Sequence, residues 1–224
     1  MTKTLSLIFS LFIFNYVFSQ SADSLYKKLN LSDQKLSFSA FKYAYKGYQN
    51  LLNSKKIPKK DTFAICDFSQ SSDDRRLYII DLLNQTVLYW TYVAHGKRSG
   101  KEFAKSFSNR INSHKSSLGF YLTKDTYYGK NGLSLKIKGL EKGFNSNAEK
   151  RGIVIHGSFY VGENYLEDNE YLGRSWGCLA VPLEESEEII DVLKKGSCIF
   201  VYYPSKLYLS NSKIINQKNI HETK

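Results

Sequence analysis

Ile153-Val154-Ile155-His156-Gly157-Ser158 and Gly173-Arg174-Ser175-Trp176-Gly177-Cys178-Leu179-Ala180-Val181-Pro182 are the two segments on which the reading of this chain turns. The first is a short apolar run ending in His-Gly-Ser, which predicts a buried strand that delivers an imidazole to its end. The second places a cysteine just after Ser-Trp-Gly, where a glycine lets the backbone bend sharply beside the thiol. A thiol and an imidazole presented from two tight turns are the minimum parts for nucleophilic acyl transfer. An adjacent imidazolium lowers a cysteine pKa from about 8.5 to roughly 3.5–7.5, so a thiolate near neutral pH is expected. The backbone N–H groups of Gly177 and Cys178 are expected to face a developing oxyanion.

The His-Gly-Ser strand end followed by Arg-Ser-x-Gly-Cys resembles the signature of the L,D-transpeptidase catalytic domain (YkuD-like) of peptidoglycan enzymes. Ser175, Gly177 and Cys178 match that signature, while Trp176 stands where a histidine is usual and Ala180 replaces an asparagine. The spacer from His156 to Ser175 is longer than the usual pattern, as in a divergent branch of the family. The resemblance extends upstream to Ser106-Phe107-Ser108-Asn109 and Ser116-Ser117-Leu118-Gly119, and covers Thr62 to Pro204.

The resemblance implies a mostly-β, sandwich- or barrel-like domain with an N-terminal helical segment and a helix after the nucleophile. It also implies a reaction. The Cys178 thiolate attacks the carbonyl between an L-configured centre, typically of diaminopimelate, and a terminal D-alanine of a peptidoglycan stem. His156 takes the thiol proton and returns it to the departing D-alanine, and an amine of a neighbouring stem or water resolves the thioester. Cys178, His156, Gly177 and Ser175 are the catalytic candidates, and Arg174, Trp176, Ser158 and Gly157 the substrate-binding ones. Arg174 either grips a substrate carboxylate in bidentate fashion or pins its loop. Ser158, Ser175 or a backbone carbonyl orients His156. Two other readings stand beside transpeptidation: an L,D-carboxypeptidase using the same residues, and a non-catalytic wall-binding module in which Trp176 and Ala180 mark lost chemistry.

Outward from this centre, 224 residues suit one domain with appendages. The divisions are a signal peptide (1–19), an N-terminal helical segment (20–60), the catalytic domain (61–206) and a polar tail (207–224). Phe41, Ala44, Tyr45, Tyr48, Leu51 and Leu52 fall on one helix face. Thr62–Phe68, Arg76–Leu82 and Thr86–Ala94 read as strands, as do Leu118–Leu122, the alternating stretch around Leu133, Leu135 and Ile137, and Ser197–Tyr203. Pro182 is expected to open a helix that carries Glu184, Glu185, Glu187 and Glu188 early, Lys194 and Lys195 late, and buries Leu183, Ile189, Ile190 and Leu193. His95 ends the third strand, where a histidine lines the cleft or, more often, is a packing or surface residue.

The net charge of +11 is dispersed and accompanies no nucleic-acid motif. Lys97, Arg98, Lys101, Lys105, Arg110 and Lys115 form a basic stretch that suits a carboxylate-bearing substrate. No cofactor or metal is expected, because the four histidines and three cysteines show no ligand spacing. An oxidising compartment would allow a Cys66–Cys198 disulfide that leaves Cys178 free. Residues 1–19 carry Lys3, an apolar run from Leu5 to Phe18 and a small-residue junction at Val17-Phe18-Ser19, so no stable membrane span is expected after cleavage. With no cysteine near that junction, a lipid anchor has no acceptor. N-terminal sequencing of envelope-fraction protein should therefore begin near Gln20; a chain still beginning at Met1 would refute cleavage.

Overall fold

A computed structural model describes residues 21–58 and 61–217. The signal-peptide reading and residues 218–224 of the tail lie outside the described residues.

Two helices open the described chain, α1 (Ala22–Lys28) and α2 (Phe38–Asn53). Each starts where a serine hydroxyl replaces a missing intrahelical acceptor: Ser21 Oγ takes the Ser24 N–H at 3.2 Å and Ser37 Oγ the Ala40 N–H at 3.1 Å. The α2 stripe of Phe41, Ala44, Tyr48 and Leu51 is buried, as its spacing predicts, with Tyr45 and Leu52 at the margin. Gly47 lies on the same face. A β-carbon there would sit 2.0 Å from the Phe120 ring, so the glycine is what lets the helix approach the sheet.

The rest is a single mixed sheet of β1 (Thr62–Asp67), β2 (Leu77–Asp81), β3 (Thr86–Thr91), β4 (Gly119–Gly129), β5 (Gly132–Gly139), β6 (Val154–Ser158), β7 (Leu179–Pro182) and β8 (Cys198–Tyr202). Its spatial order is β3-β2-β1-β8-β4-β5-β6-β7. Neighbours are antiparallel except β1 with β8 and β6 with β7. The chain leaving β3 at one edge returns to β7 at the other. Ala94 bridges Ala180 and Gly96 bridges Ser175, which closes the sheet into a near-barrel and covers the β7 edge. Three short helices complete the fold: α3 (Glu163–Glu167), α4 (Ser186–Leu193) and α5 (Lys206–Asn211). Among the described residues no helix is long and apolar enough to cross a membrane.

Three expectations are corrected. Cys66 and Cys198 are both free and buried. Parallel pairing sets Phe63 opposite Cys198 and Cys66 opposite Val201, so the two cysteines are offset by three residues, or about 10 Å along the strands, beyond disulfide reach. Pro182 ends β7 rather than opening the helix, because it still pairs with Ser158. The helix therefore begins after a turn, which leaves Leu183 exposed and only Glu187 and Glu188 in its first turn. The stretch expected as a polar tail is anchored to the domain over its described residues, 207–217. Tyr208, Ile214 and Ile215 are buried, and the buried Glu141 carboxylate accepts hydroxyl hydrogen bonds from Tyr208 at 2.7 Å and from Ser212.

Phe120 cannot withdraw from Gly47, since its other side stacks on Phe200 at 4.3 Å between ring centroids. Gly47→Ala should therefore destabilise the domain by about 1–3 kcal/mol through overpacking. Urea denaturation checks this. Adding Phe120→Leu should recover part of the loss, whereas a single variant as stable as the parent would contradict the packing.

Candidate active site

The parallel pairing of β6 with β7 builds the site. It sets His156 opposite Ala180, and Cys178 lies two residues earlier on the same chain. Cys178 is the last residue of the bend that leads into β7, so the thiol is delivered where that strand begins to pair with β6.

His156 is buried, and its Nδ1 lies 2.9 Å from the Gly157 carbonyl oxygen. A carbonyl only accepts, so Nδ1 carries the proton and Nε2 of the neutral ring is left as the acceptor. Of the candidates for orienting this ring, the backbone carbonyl is the one in contact. Burial pushes the His156 pKa down, partly offset by that hydrogen bond. Gly157 has a second constraint: a β-carbon would meet Ser186 Oγ at 2.5 Å, so the glycine lets the start of α4 close over the strand.

Cys178 is half-buried and its Sγ donates to the Gly152 carbonyl at 3.6 Å. Among the described residues no hydrogen bond joins it to His156. Burial pushes its pKa up, against smaller downward contributions from the Val154 N–H, Arg151 and its own N–H. The thiolate expected from an adjacent imidazolium is therefore not the resting state. Both partners are neutral, because desolvation disfavours both charged forms.

The turn before Cys178 is held by Ser175, whose Oγ accepts the Gly177 N–H at 3.0 Å and donates to the Cys178 carbonyl at 2.8 Å. In this state the Gly177 N–H, expected to face an oxyanion, is already engaged by Ser175. Gly177 adopts φ +121°, and a β-carbon there would meet the Lys115 carbonyl, Arg151 and Ile153 within 3 Å.

Sequence reasoning passed over Arg76 and Arg151, and read His95 as a strand-end residue. Arg76 is fully buried, donating to the Val93 and Gln70 carbonyls and to His95 Nδ1 at 2.9 Å. His95 is buried too, its Nε2–H facing the Gly100 carbonyl at 3.3 Å, and burial with the neighbouring Arg76 pushes its pKa down to about 3. The His95 carbonyl accepts the Ser175 N–H, and the Ser175 carbonyl the Lys97 N–H, so this segment holds the turn before Cys178 from behind. Arg151 donates to the Ser108 and Lys115 carbonyls and to Ser117 Oγ, all neutral, next to Cys178. A cationic residue in a polar stretch carries no periodic signal, which is why it went unnoticed.

Trp176 is 71% exposed and stacks on His114 at 4.7 Å, so it caps the turn from outside. Arg174 donates to the Gly100 carbonyl at 3.3 Å and lies over the Tyr171 ring. It also borders a cleft of about 650 Å³ together with Lys97, Tyr160, Tyr165, Asp168 and Glu170. Ser158 is buried and reaches Tyr160, whose phenol neighbours Cys178.

The model of a family described as the L,D-transpeptidase catalytic domain matches residues 32–202. No curated protein matches the sequence. Among solved structures, an L,D-transpeptidase from Mycobacterium smegmatis is similar at 11% identity and a TM-score of 0.41, over 64% of this chain and 59% of that one. The helical cell shape determining protein Pgp2 from Campylobacter jejuni is similar at 12% and 0.41, over 73% and 57%. An L,D-transpeptidase from Mycobacterium tuberculosis H37Rv is similar at 12% and 0.38, over 64% and 58%. This chain thus spans under two thirds of the length of each.

A raised thiol pKa has a measurable consequence. Below its pKa the thiol is mostly protonated and unreactive, so the rate of Cys178 alkylation by iodoacetamide should still be climbing at pH 9. Buried Cys66 and Cys198 should stay unlabelled in the folded protein. A rate plateau below pH 8, read by peptide mass mapping, would overturn the neutral resting pair.

Proposed function

We infer the reaction from the premise that the chain belongs to the L,D-transpeptidase catalytic domain family. The reading is a murein L,D-transpeptidase that acts on peptidoglycan stem peptides through a cysteine thioester. One observation carries it: the His156 Nδ1–H is tied to the Gly157 carbonyl, so a neutral Nε2 is available to take the Cys178 proton.

In the acylation step the thiol proton moves to His156 Nε2 as sulfur attacks the carbonyl of the L,D amide. The carbon–nitrogen bond then breaks, and the departing D-alanine amine takes the proton from His156, leaving a thioester on Cys178. An acceptor amine attacks the thioester, passes its proton to His156, and releases a new amide and the free thiol. The Cys178 N–H is the donor for the oxyanion. Arg151 faces three neutral acceptors, so the thiolate formed on proton transfer is its anionic partner. This offsets at the moment of attack the burial that keeps the resting thiol protonated. The cleft beside Arg174, with cations and carboxylates on its rim, suits a stem bearing both amine and carboxylate groups. Export to the cell envelope, read from the apolar leader, would bring the enzyme to this substrate.

The test is mass spectrometry of muropeptides after incubation with tetrapeptide stems, with and without an acceptor amine. A crosslinked product supports transpeptidation, D-alanine release without crosslink makes the enzyme a carboxypeptidase, and no turnover in either arm leaves a wall-binding module. Cys178→Ser should abolish turnover and His156→Ala should lower it about 10²–10⁴-fold. Arg151→Gln should raise the Cys178 pKa and lower the iodoacetate-to-iodoacetamide rate ratio severalfold, a charge effect that loss of packing alone would not produce.

A further inference from the structure

Apart from the Arg174 cleft there is a smaller pocket of about 290 Å³, lined by Arg98, Arg110, Asn112, Ser113, Lys115 and their neighbours. Its lining contains three cations and no acid. Lys115 Nζ donates to Ser106 Oγ at 2.6 Å. Among the described residues neither the Arg98 nor the Arg110 guanidinium has a hydrogen-bond, ion-pair or ring partner, so both forks are open to a planar anion.

The backbone around the pocket is held in an uncommon form. Asn112 and His114 have φ of +57° and +53°, in the left-handed region that side chains disfavour. Two contacts account for His114: its carbonyl accepts the Arg98 N–H at 3.0 Å and its ring stacks on Trp176. The same wall reaches the reacting end of the molecule, because the Lys115 carbonyl accepts from Arg151 and would lie 2.8 Å from a β-carbon on Gly177. A cationic pocket thus shares its wall with the turn that carries Cys178.

We propose that this pocket is a carboxylate-binding subsite that takes the free C-terminal carboxylate of a peptide whose scissile bond lies at Cys178. Arg98 and Arg110 are the ligating forks and Lys115 supplies a third charge. The naming of the ligand as a peptide C-terminus rests on the transpeptidase reading; the anion-binding character of the pocket does not. Distinguishing a terminal carboxylate from an amide or an internal peptide bond follows from charge alone, since two guanidiniums have no counterpart in a neutral ligand.

The probes are N-acetyl-D-alanine, its amide and inorganic phosphate, titrated by backbone amide NMR into the full chain and into the Arg98→Gln/Arg110→Gln variant. The acid should shift the amides of residues 108–115 in the parent, and the double variant should bind it about tenfold more weakly, the scale of two exposed charge pairs. Removal of two unpartnered guanidiniums should leave the unfolding midpoint of the variant unchanged. Equal shifts from acid and amide, or a double variant that titrates like the parent, would overturn the subsite. Phosphate saturating the same amides at a tenfold lower concentration would overturn the carboxylate assignment in favour of a phosphate-bearing ligand. Turnover of a tetrapeptide and its C-terminal amide then separates the two ideas. The parent should prefer the acid through KM, and the double variant should lose that preference. Turnover of neither peptide by the parent would sink the transpeptidase reading while the titration still decides the pocket.

Discussion

The fold depends on a buried guanidinium. Arg76 lies in the interior without a carboxylate in hydrogen-bond contact, satisfied by the Val93 and Gln70 carbonyls, by His95 and by the face of Phe68. Burying a charge this way is costly unless every donor is used, so the geometry around Arg76 is strongly specified. The segment it specifies, residues 93–97, is the one that leaves β3 and closes the sheet against β7. Through the His95 carbonyl the same segment holds Ser175, and through Ser175 the turn that presents Cys178. Sheet closure and the placement of Cys178 are therefore one constraint.

The chemistry follows from dryness. His156 and Cys178 both sit where charge is disfavoured, and each is shifted toward its neutral form. In the proposed reaction a neutral pair of this kind places the proton transfer within the attack itself. Arg151 then has a distinct role from the imidazole. In the proposed reaction the ring moves the proton, and the guanidinium, held by three neutral acceptors, answers the negative charge left on sulfur.

Trp176 shows how a departure from a motif is absorbed. A histidine is usual at this position, and here an exposed indole stacks on His114, which comes from the basic loop. The stack joins the turn before Cys178 to the basic loop at His114, and the chain carries two clefts of different charge. The cleft at Arg174 carries mixed charge, and the pocket at Arg98 and Arg110 carries only positive charge.

Local pattern was enough for much of this. The α2 stripe, the alternating strands and the apolar run ending in His156 depend on neighbours within a few residues, as do the Ser175 and Gly177 positions before Cys178. These are legible because side-chain periodicity and glycine's freedom act over one turn or one pleat. The parallel pairings of β1 with β8 and of β6 with β7 decided the rest, together with what burial did to the groups they enclosed. Register kept Cys66 and Cys198 apart and carried Pro182 into a strand. Buried acceptors recruited Tyr208 and Ser212 from an apparently featureless tail to Glu141, and Arg76 to the back of the nucleophile turn. Desolvation turned the expected thiolate into a thiol. The chain by itself determined which residues could do the chemistry. Their protonation states, and the Arg151 charge beside them, were set only when distant segments met and excluded water.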